Sequence, residues 1–146
     1  MSVISNETPS DPGQAPVTYR PGMFMTVNQG TWVVILNAGD GIYNSSDVNA
    51  DGFTIKMFLA VGTYNLNLWF ARGPTRGIIK VDIDGVNVLS RDGYDAALNY
   101  DIQEAVVGIP ITVSKLYDVK FRVDGKNVAS TGYIVWIQRA DFVRTA

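Results

Sequence analysis

The 146-residue chain contains no cysteine and no histidine. That double absence removes thiol nucleophiles, disulfide staples, zinc sites built on Cys or His, and imidazole general bases. A serine nucleophile would have only a lysine or a carboxylate to activate it, and no Ser-x-x-Lys motif occurs. Charge of one sign is also missing. Twelve basic against fourteen acidic residues leave a formal charge of −2, which gives neither a footprint for nucleic acid nor a polybasic anchor for a membrane surface. No run approaches the roughly 20 apolar residues that span a bilayer. The opening Met-Ser-Val-Ile-Ser-Asn turns polar too early for a signal peptide. The expectation is a protein folded in a cytoplasm that uses no cofactor and no metal, is not an enzyme, and takes no nucleic-acid or membrane partner.

Proline is scarce except in one stretch: four of the six, Pro9, Pro12, Pro16 and Pro21, precede Met23. This composition divides the chain into an extended N-terminal arm, residues 1–22, and one β-domain, residues 23–146. An arm so rich in Pro, Ser, Asp and Gln cannot bury enough apolar surface to order itself in water. It does carry apolar anchors, Val3 and Ile4 near its start and Val17-Thr-Tyr19 near its end, on either side of a Pro-rich spacer. Extended, about 20 residues reach up to about 60 Å, enough to cross to a neighbouring subunit and add a strand to an exposed edge there. Val3, Ile4, Pro9, Pro12, Pro16, Val17 and Tyr19 are therefore the expected partner-binding residues.

From Met23 onward the dominant signal is period two. In Thr63–Ala71 the side chains Tyr64, Leu66, Leu68 and Phe70 share one face, opposite Thr63, Asn65 and Asn67. Ile79–Asp84 puts Ile79, Val81 and Ile83 inward, and Tyr117–Asp124 repeats the design with Tyr117, Val119, Phe121 and Val123. Asp-Gly pairs at Asp51, Asp84, Asp92 and Asp124 supply hairpin-type turns. Weaker strands are expected at 23–27, 31–37, 53–60, 86–90, 100–106, 109–113, 133–138 and 142–144. No helical stripe competes, so a sandwich of two antiparallel sheets follows. The segments 31–37 and 134–137 are apolar on both faces, as strands covered by the opposite sheet and a second subunit would be.

Candidate sites are few. By strict alternation Trp69 leaves the apolar face and joins Asn65 and Asn67 outside, a group suited either to a subunit interface or to a sugar lying on the indole. Trp32 and Trp136 sit in apolar runs and read as core or interface. Asp82 and Asp84 share a strand face, and Asp92, Asp95, Asp101 and Glu104 cluster in sequence, without the framing of a paired-acid hydrolase or a calcium loop. Asp47-Val-Asn-Ala-Asp-Gly52 matches the opening of a helix-loop-helix calcium loop, but Phe58 stands where the closing acid belongs. Gly73-Pro-Thr-Arg-Gly77 reads as a turn, and 126–132 as a polar loop that either contacts partners or is solvated.

Two longer stretches carry a resemblance: 62–73 with 77–85, and Val123-Asp-Gly-Lys-Asn-Val-Ala-Ser-Thr-Gly-Tyr-Ile-Val-Trp-Ile137 with the closing Ala140-Asp-Phe-Val-Arg-Thr. They resemble small jelly-roll modules of virion proteins from tailed bacteriophages and, at lower similarity, the jelly-roll carbohydrate-binding modules of glycoside hydrolases. The resemblance implies an all-β jelly-roll sandwich of about eight antiparallel strands used for assembly or surface binding, commonly as a homotrimer. The expected function is a virion structural protein, a capsid decoration or cement protein assembled in the host cytoplasm, whose partners are the major capsid protein or other virion subunits. The alternative is a glycan-binding or receptor-binding module of a tail fibre or baseplate, with Asn65, Asn67 and Trp69 as its contact.

Overall fold

A computed structural model describes residues 15–37 and 39–146. Eleven strands occur among them: β1 (Val17–Tyr19), β2 (Thr26–Gln29), β3 (Trp32–Ile35), β4 (Gly41–Asn44), β5 (Gly52–Leu59), β6 (Gly62–Arg72), β7 (Ile78–Ile83), β8 (Val86–Asp92), β9 (Asn99–Ile111), β10 (Lys115–Val123) and β11 (Trp136–Arg144). All pairings between these strands are antiparallel. One sheet runs β3-β4-β11-β6-β9 with β1 added beside β11, and the other runs β2-β5-β10-β7-β8.

The period-two pattern explains the layering. Leu66, Leu68 and Phe70 of β6 are fully buried, as are Ile79 and Val81 of β7 and Val119, Phe121 and Val123 of β10. The alternate positions of β6, Asn65, Asn67 and Trp69, lie half-buried on the outer face of the six-stranded sheet. Of the four Asp-Gly pairs, Asp84-Gly85 makes a two-residue hairpin between β7 and β8. Both residues have positive φ, 46° and 81°, the combination a type I′ turn needs. Asp51-Gly52 and Asp92-Gly93 do not close hairpins. The expected strands 100–106 and 109–113 are one strand, β9, with its register shifted near Gly108, and of 133–138 only the part from Trp136 is strand, continuous with 142–144 in β11.

Two corrections concern the arm. Val17 and Tyr19 lie in β1, paired through Val17↔Phe142 and Tyr19↔Ala140 with this chain's own β11, so the sandwich begins before residue 22. The physical reason is the Tyr19 ring. It is fully buried 5.0 Å from Phe121 and 5.6 Å from Phe53, with Trp32 set edge-on to Phe53 at 4.8 Å. That burial outweighs the polar character of the flanking segment. Pro16 is exposed just ahead of β1. Val3, Ile4, Pro9 and Pro12 lie outside the described residues.

Tyr19 also supplies a stability prediction. Its hydroxyl is sealed from solvent and finds no hydrogen-bond partner among the described residues, and burial pushes the phenol pKa up. A buried polar group left unmade costs free energy, so Tyr19→Phe is expected to raise stability by about 1 kcal/mol. Urea unfolding at pH 7 reads this directly. A loss of about 1 kcal/mol would show that the hydroxyl is bonded after all.

Candidate functional site: a cleft on the six-stranded sheet

The outer face of the six-stranded sheet carries two irregularities on either side of β6. In β11 the pairing to β6 slips between Ile137 and Arg139, leaving Gln138 as the extra residue. In β9 the register shifts opposite Phe70–Arg72, and Asp101 there has φ 58°. A non-glycine residue in this left-handed region is strained, and bulges re-aim side chains next to binding sites. Here the two bulge residues meet. The Gln138 amide donates from Nε2 to Asp101 Oδ1 at 3.0 Å, and its Oε1 accepts from the Asp101 backbone N–H at 2.7 Å. The strand between them contributes Ala71, fully buried, as the outward residue.

Beside this bridge Trp69 pairs across to Arg139, whose guanidinium lies 4.7 Å from the indole centroid. Arg139 is oriented in turn by Asp141, with Nε to Oδ1 at 2.9 Å, and that carboxylate holds the guanidinium pKa above its ordinary value. Trp69, Arg139, Gln138 and Asp101 line a cleft of about 280 Å³, completed by Arg20 and Asp40. Among the described residues the Arg20 and Asp40 side chains make no ion pair or hydrogen bond. The cleft thus offers one aromatic plane and a ring of hydrogen-bonding groups of both signs.

Next to it lies an aromatic cluster. Tyr43 of β4 and Trp136 of β11 are register partners whose rings stack at 5.0 Å and 6°. Tyr100, immediately before Asp101, meets Trp136 edge-on at 5.6 Å and is 39% exposed. The Trp136 indole N–H donates to the Gly39 carbonyl at 3.0 Å. Trp136 was expected in the core or against a second subunit; it is half-buried, and the cover on its outer face comes from this chain.

Of the expected trio, only Trp69 lines the cleft. Asn67 lies two residues along β6, and Asn65 accepts a hydrogen bond from the Gly108 N–H at 3.3 Å, steadying β9 at its glycine kink. The other carboxylates singled out in the sequence are structural. Burial alone would raise the Asp82 pKa, but Arg122 at 2.7 Å and Asn87 hold it below the usual range. The Lys115 ammonium at 2.6 Å does the same for Asp84. Glu104 joins Arg72 and Arg91, closing the gap between β9 and β8. Ser130 in the 126–132 loop is buried and donates to the Arg76 carbonyl at 2.7 Å, clamping the 73–77 turn.

By sequence the chain matches no protein-family model and no curated protein. By structure it is similar to part of a Paenibacillus xanthan lyase, with a TM-score of 0.71 and 20% identity over 89% of this chain and 13% of that one. It is similar to the CBM36-1 domain of a multidomain xylanase from the hindgut metagenome of Trinervitermes trinervoides, with a TM-score of 0.68 and 13% identity over 88% and 96% of the two chains. Carbohydrate-binding module CBM36 in complex with calcium and xylotriose gives a TM-score of 0.64 and 15% identity over 86% and 98%. The fold is a jelly-roll β-sandwich, similar to that of the two CBM36 structures. The chain spans nearly the whole of the two CBM36 structures but only 13% of the length of the lyase.

The oxygen-rich run 47–52 does not fit a calcium ion. Both Asp51 oxygens accept from protein donors: Asn44, Ser46 and the Val48 N–H on one, Gln29 on the other. Asp47 Oδ1 accepts from the Tyr133 N–H at 2.5 Å and Asn49 Oδ1 from the Gly125 N–H at 2.8 Å. These oxygens diverge to tie loops together, and no group of three acidic side chains suited to a metal occurs among the described residues.

Proposed function

We propose that this chain is a non-catalytic saccharide-binding module, and that it binds through the cleft at Trp69 and the adjoining Trp136–Tyr100 surface. The observation that carries the reading is the Gln138–Asp101 bridge. A strained residue and a bulge are held together beside an aromatic plane, where the outer face of a sheet would otherwise need neither. Sugars present apolar C–H faces and a rim of hydroxyls, and an indole beside fixed carboxylate, amide and guanidinium groups complements both. The likeness in fold to carbohydrate-binding modules, one of them solved with xylotriose, supports this reading over a capsid-cement role. The placement of Val17 and Tyr19 in the chain's own sheet also removes part of the arm that the cement role relied on.

The test is affinity electrophoresis and calorimetry against soluble xylan, mannan, galactan and glucan, together with acidic polysaccharides. Saturable binding to at least one is expected, weakened about tenfold or more by Trp69→Ala, an effect equal to about 1.4 kcal/mol. Thermal unfolding must show that the variant is folded. Binding to none of these polymers, or binding untouched by both Trp69→Ala and Asp101→Ala, contradicts the reading.

A further inference from the structure

The turn between β6 and β7 buries a guanidinium that has no counter-ion among the described residues. Arg76 is 8% exposed, and its Nε is sealed without an acceptor among the described residues. Its Nη1 reaches only the Thr75 hydroxyl, at 2.8 Å. Burial pulls its pKa down. A charge taken out of water and left unpaired is costly, and proteins rarely keep one without a use for it.

Arg72 Nε and Arg144 Nη1 likewise lack an acceptor among the described residues, but each guanidinium has another strong partner. Arg72 is ion-paired with Glu104, and Arg144 donates Nε to the Val61 carbonyl at 3.2 Å. The Arg76 guanidinium instead lies 5.8 Å from the Trp136 ring, beside the Tyr100–Trp136 pair that borders the cleft. Its backbone is fixed on several sides. Gly77 N–H donates to the Ile134 carbonyl at 2.8 Å, Ile134 N–H to the Thr75 carbonyl at 3.1 Å, and Thr131 N–H to the Pro74 carbonyl at 3.0 Å. A cation held this rigidly loses little further freedom on meeting an anion, which favours binding.

We propose that Arg76, set against Trp136 and Tyr100, receives the carboxylate or sulfate of an acidic sugar unit, so that the saccharides taken by this face are anionic. The inference rests on the saccharide-binding reading above and adds the charge of the ligand. An arginine fork matches a planar carboxylate or a sulfate in two parallel hydrogen bonds, and the flanking aromatic rings would pack the sugar that carries it. The Asp40 and Asp101 carboxylates line the adjoining cleft, where they suit neutral hydroxyl-bearing units of the same chain.

The experiment compares four polymers on the full chain: polygalacturonate, its carboxyl-reduced form, dextran sulfate and dextran. At least one acidic polymer is expected to bind about ten- to a hundredfold more tightly than its neutral counterpart, the range of a charge-assisted pair. Arg76→Met is expected to abolish that preference while its unfolding temperature stays equal to or above that of the wild type, because an uncompensated charge has been removed. Arg76→Lys, which keeps the charge but not the fork, should retain part of the preference. Equal binding of acidic and neutral forms overturns the inference and leaves the saccharide reading standing. A folded Arg76→Met that still prefers the acidic polymer also overturns it. Binding to none of the four overturns it too, and the saccharide reading is then decided by the xylan, mannan, galactan and glucan panel.

Discussion

Asp51→Ala is expected to destabilise the fold by about 3–5 kcal/mol, a large share of the roughly 5–15 kcal/mol that holds a domain of this kind together. Asp51 is 1% exposed, and its two oxygens accept from Asn44, Ser46, Gln29 and the Val48 N–H. Removing the carboxylate strands these donors. The damage spreads because Asn44, itself fully buried, also donates to the Tyr133 carbonyl at 3.0 Å and accepts from the Val135 N–H at 2.8 Å. Those two residues lead directly into Trp136, so the loop below β4 sets the height of the aromatic cluster. Urea unfolding of the variant measures the loss, and a cost below about 1 kcal/mol would show that water replaces the carboxylate.

The same residue predicts an acid limit. Burial by itself would raise the Asp51 pKa, but the hydrogen bonds from Ser46, Asn44, Val48 and Gln29 hold it below its ordinary 3.8. A carboxyl depressed on folding stabilises the native state above its unfolded pKa, and that contribution is lost as pH falls through the folded value. Asp82 behaves alike. The gap in stability between wild type and Asp51→Ala is therefore expected to be full at pH 6 and to shrink below pH about 3.8. A gap unchanged at pH 3 would place the carboxylate outside the network.

Gly41→Ala is the second large effect. A Cβ at Gly41 would stand 2.0 Å from Trp136 Nε1 and 2.6 Å from Cδ1, closer than any relaxed contact, because the indole lies against the glycine α-carbon. The ring must leave, giving up its hydrogen bond to Gly39 and its stack on Tyr43. Overpacking of this kind costs about 1–3 kcal/mol. The larger consequence is functional, since Trp136 is the floor of the surface between Arg76 and the cleft. Binding is expected to fall about tenfold or more, with a blue- or red-shifted tryptophan emission reporting the displaced ring. Unchanged emission and affinity would show that the indole does not rest on Gly41.

The sandwich itself was legible because β6, β7 and β10 each wet one face and bury the other, so alternation alone assigns Leu66, Val81 and Phe121 to the interior. β1 and β4 were not. Val17–Tyr19 and Gly41–Asn44 are too short to show a period; β1 is a strand through β11, which comes about a hundred residues later in the chain, and β4 lies between that same β11 and its neighbour β3. Local propensity carries no record of such partners. Trp69 could be placed outside by counting, whereas the groups around it could not: Arg139, Gln138 and Asp101 converge only because two bulges flank β6. One signal was available. The buried apolar positions of β11 fall at Ile137, Ala140 and Phe142, a slip of phase at Gln138–Arg139 that marks a bulge in an otherwise alternating strand. Arg76 left no such trace, since a turn arginine is ordinarily solvated and its burial depends on the Ser130 clamp and on Gly73 and Gly93 packing closely against it.

The three tryptophans give the most direct test of saccharide binding at the outer face. In a ¹⁵N–¹H correlation spectrum the indole N–H groups of Trp32, Trp69 and Trp136 yield three separable signals. Titration with the tightest-binding oligosaccharide is expected to move the Trp69 and Trp136 signals together and leave Trp32, whose ring packs on Phe53 in the interior and donates to the Gln29 carbonyl, in place. Movement of Trp32 alone, or of none of the three at saturating ligand, would contradict the account.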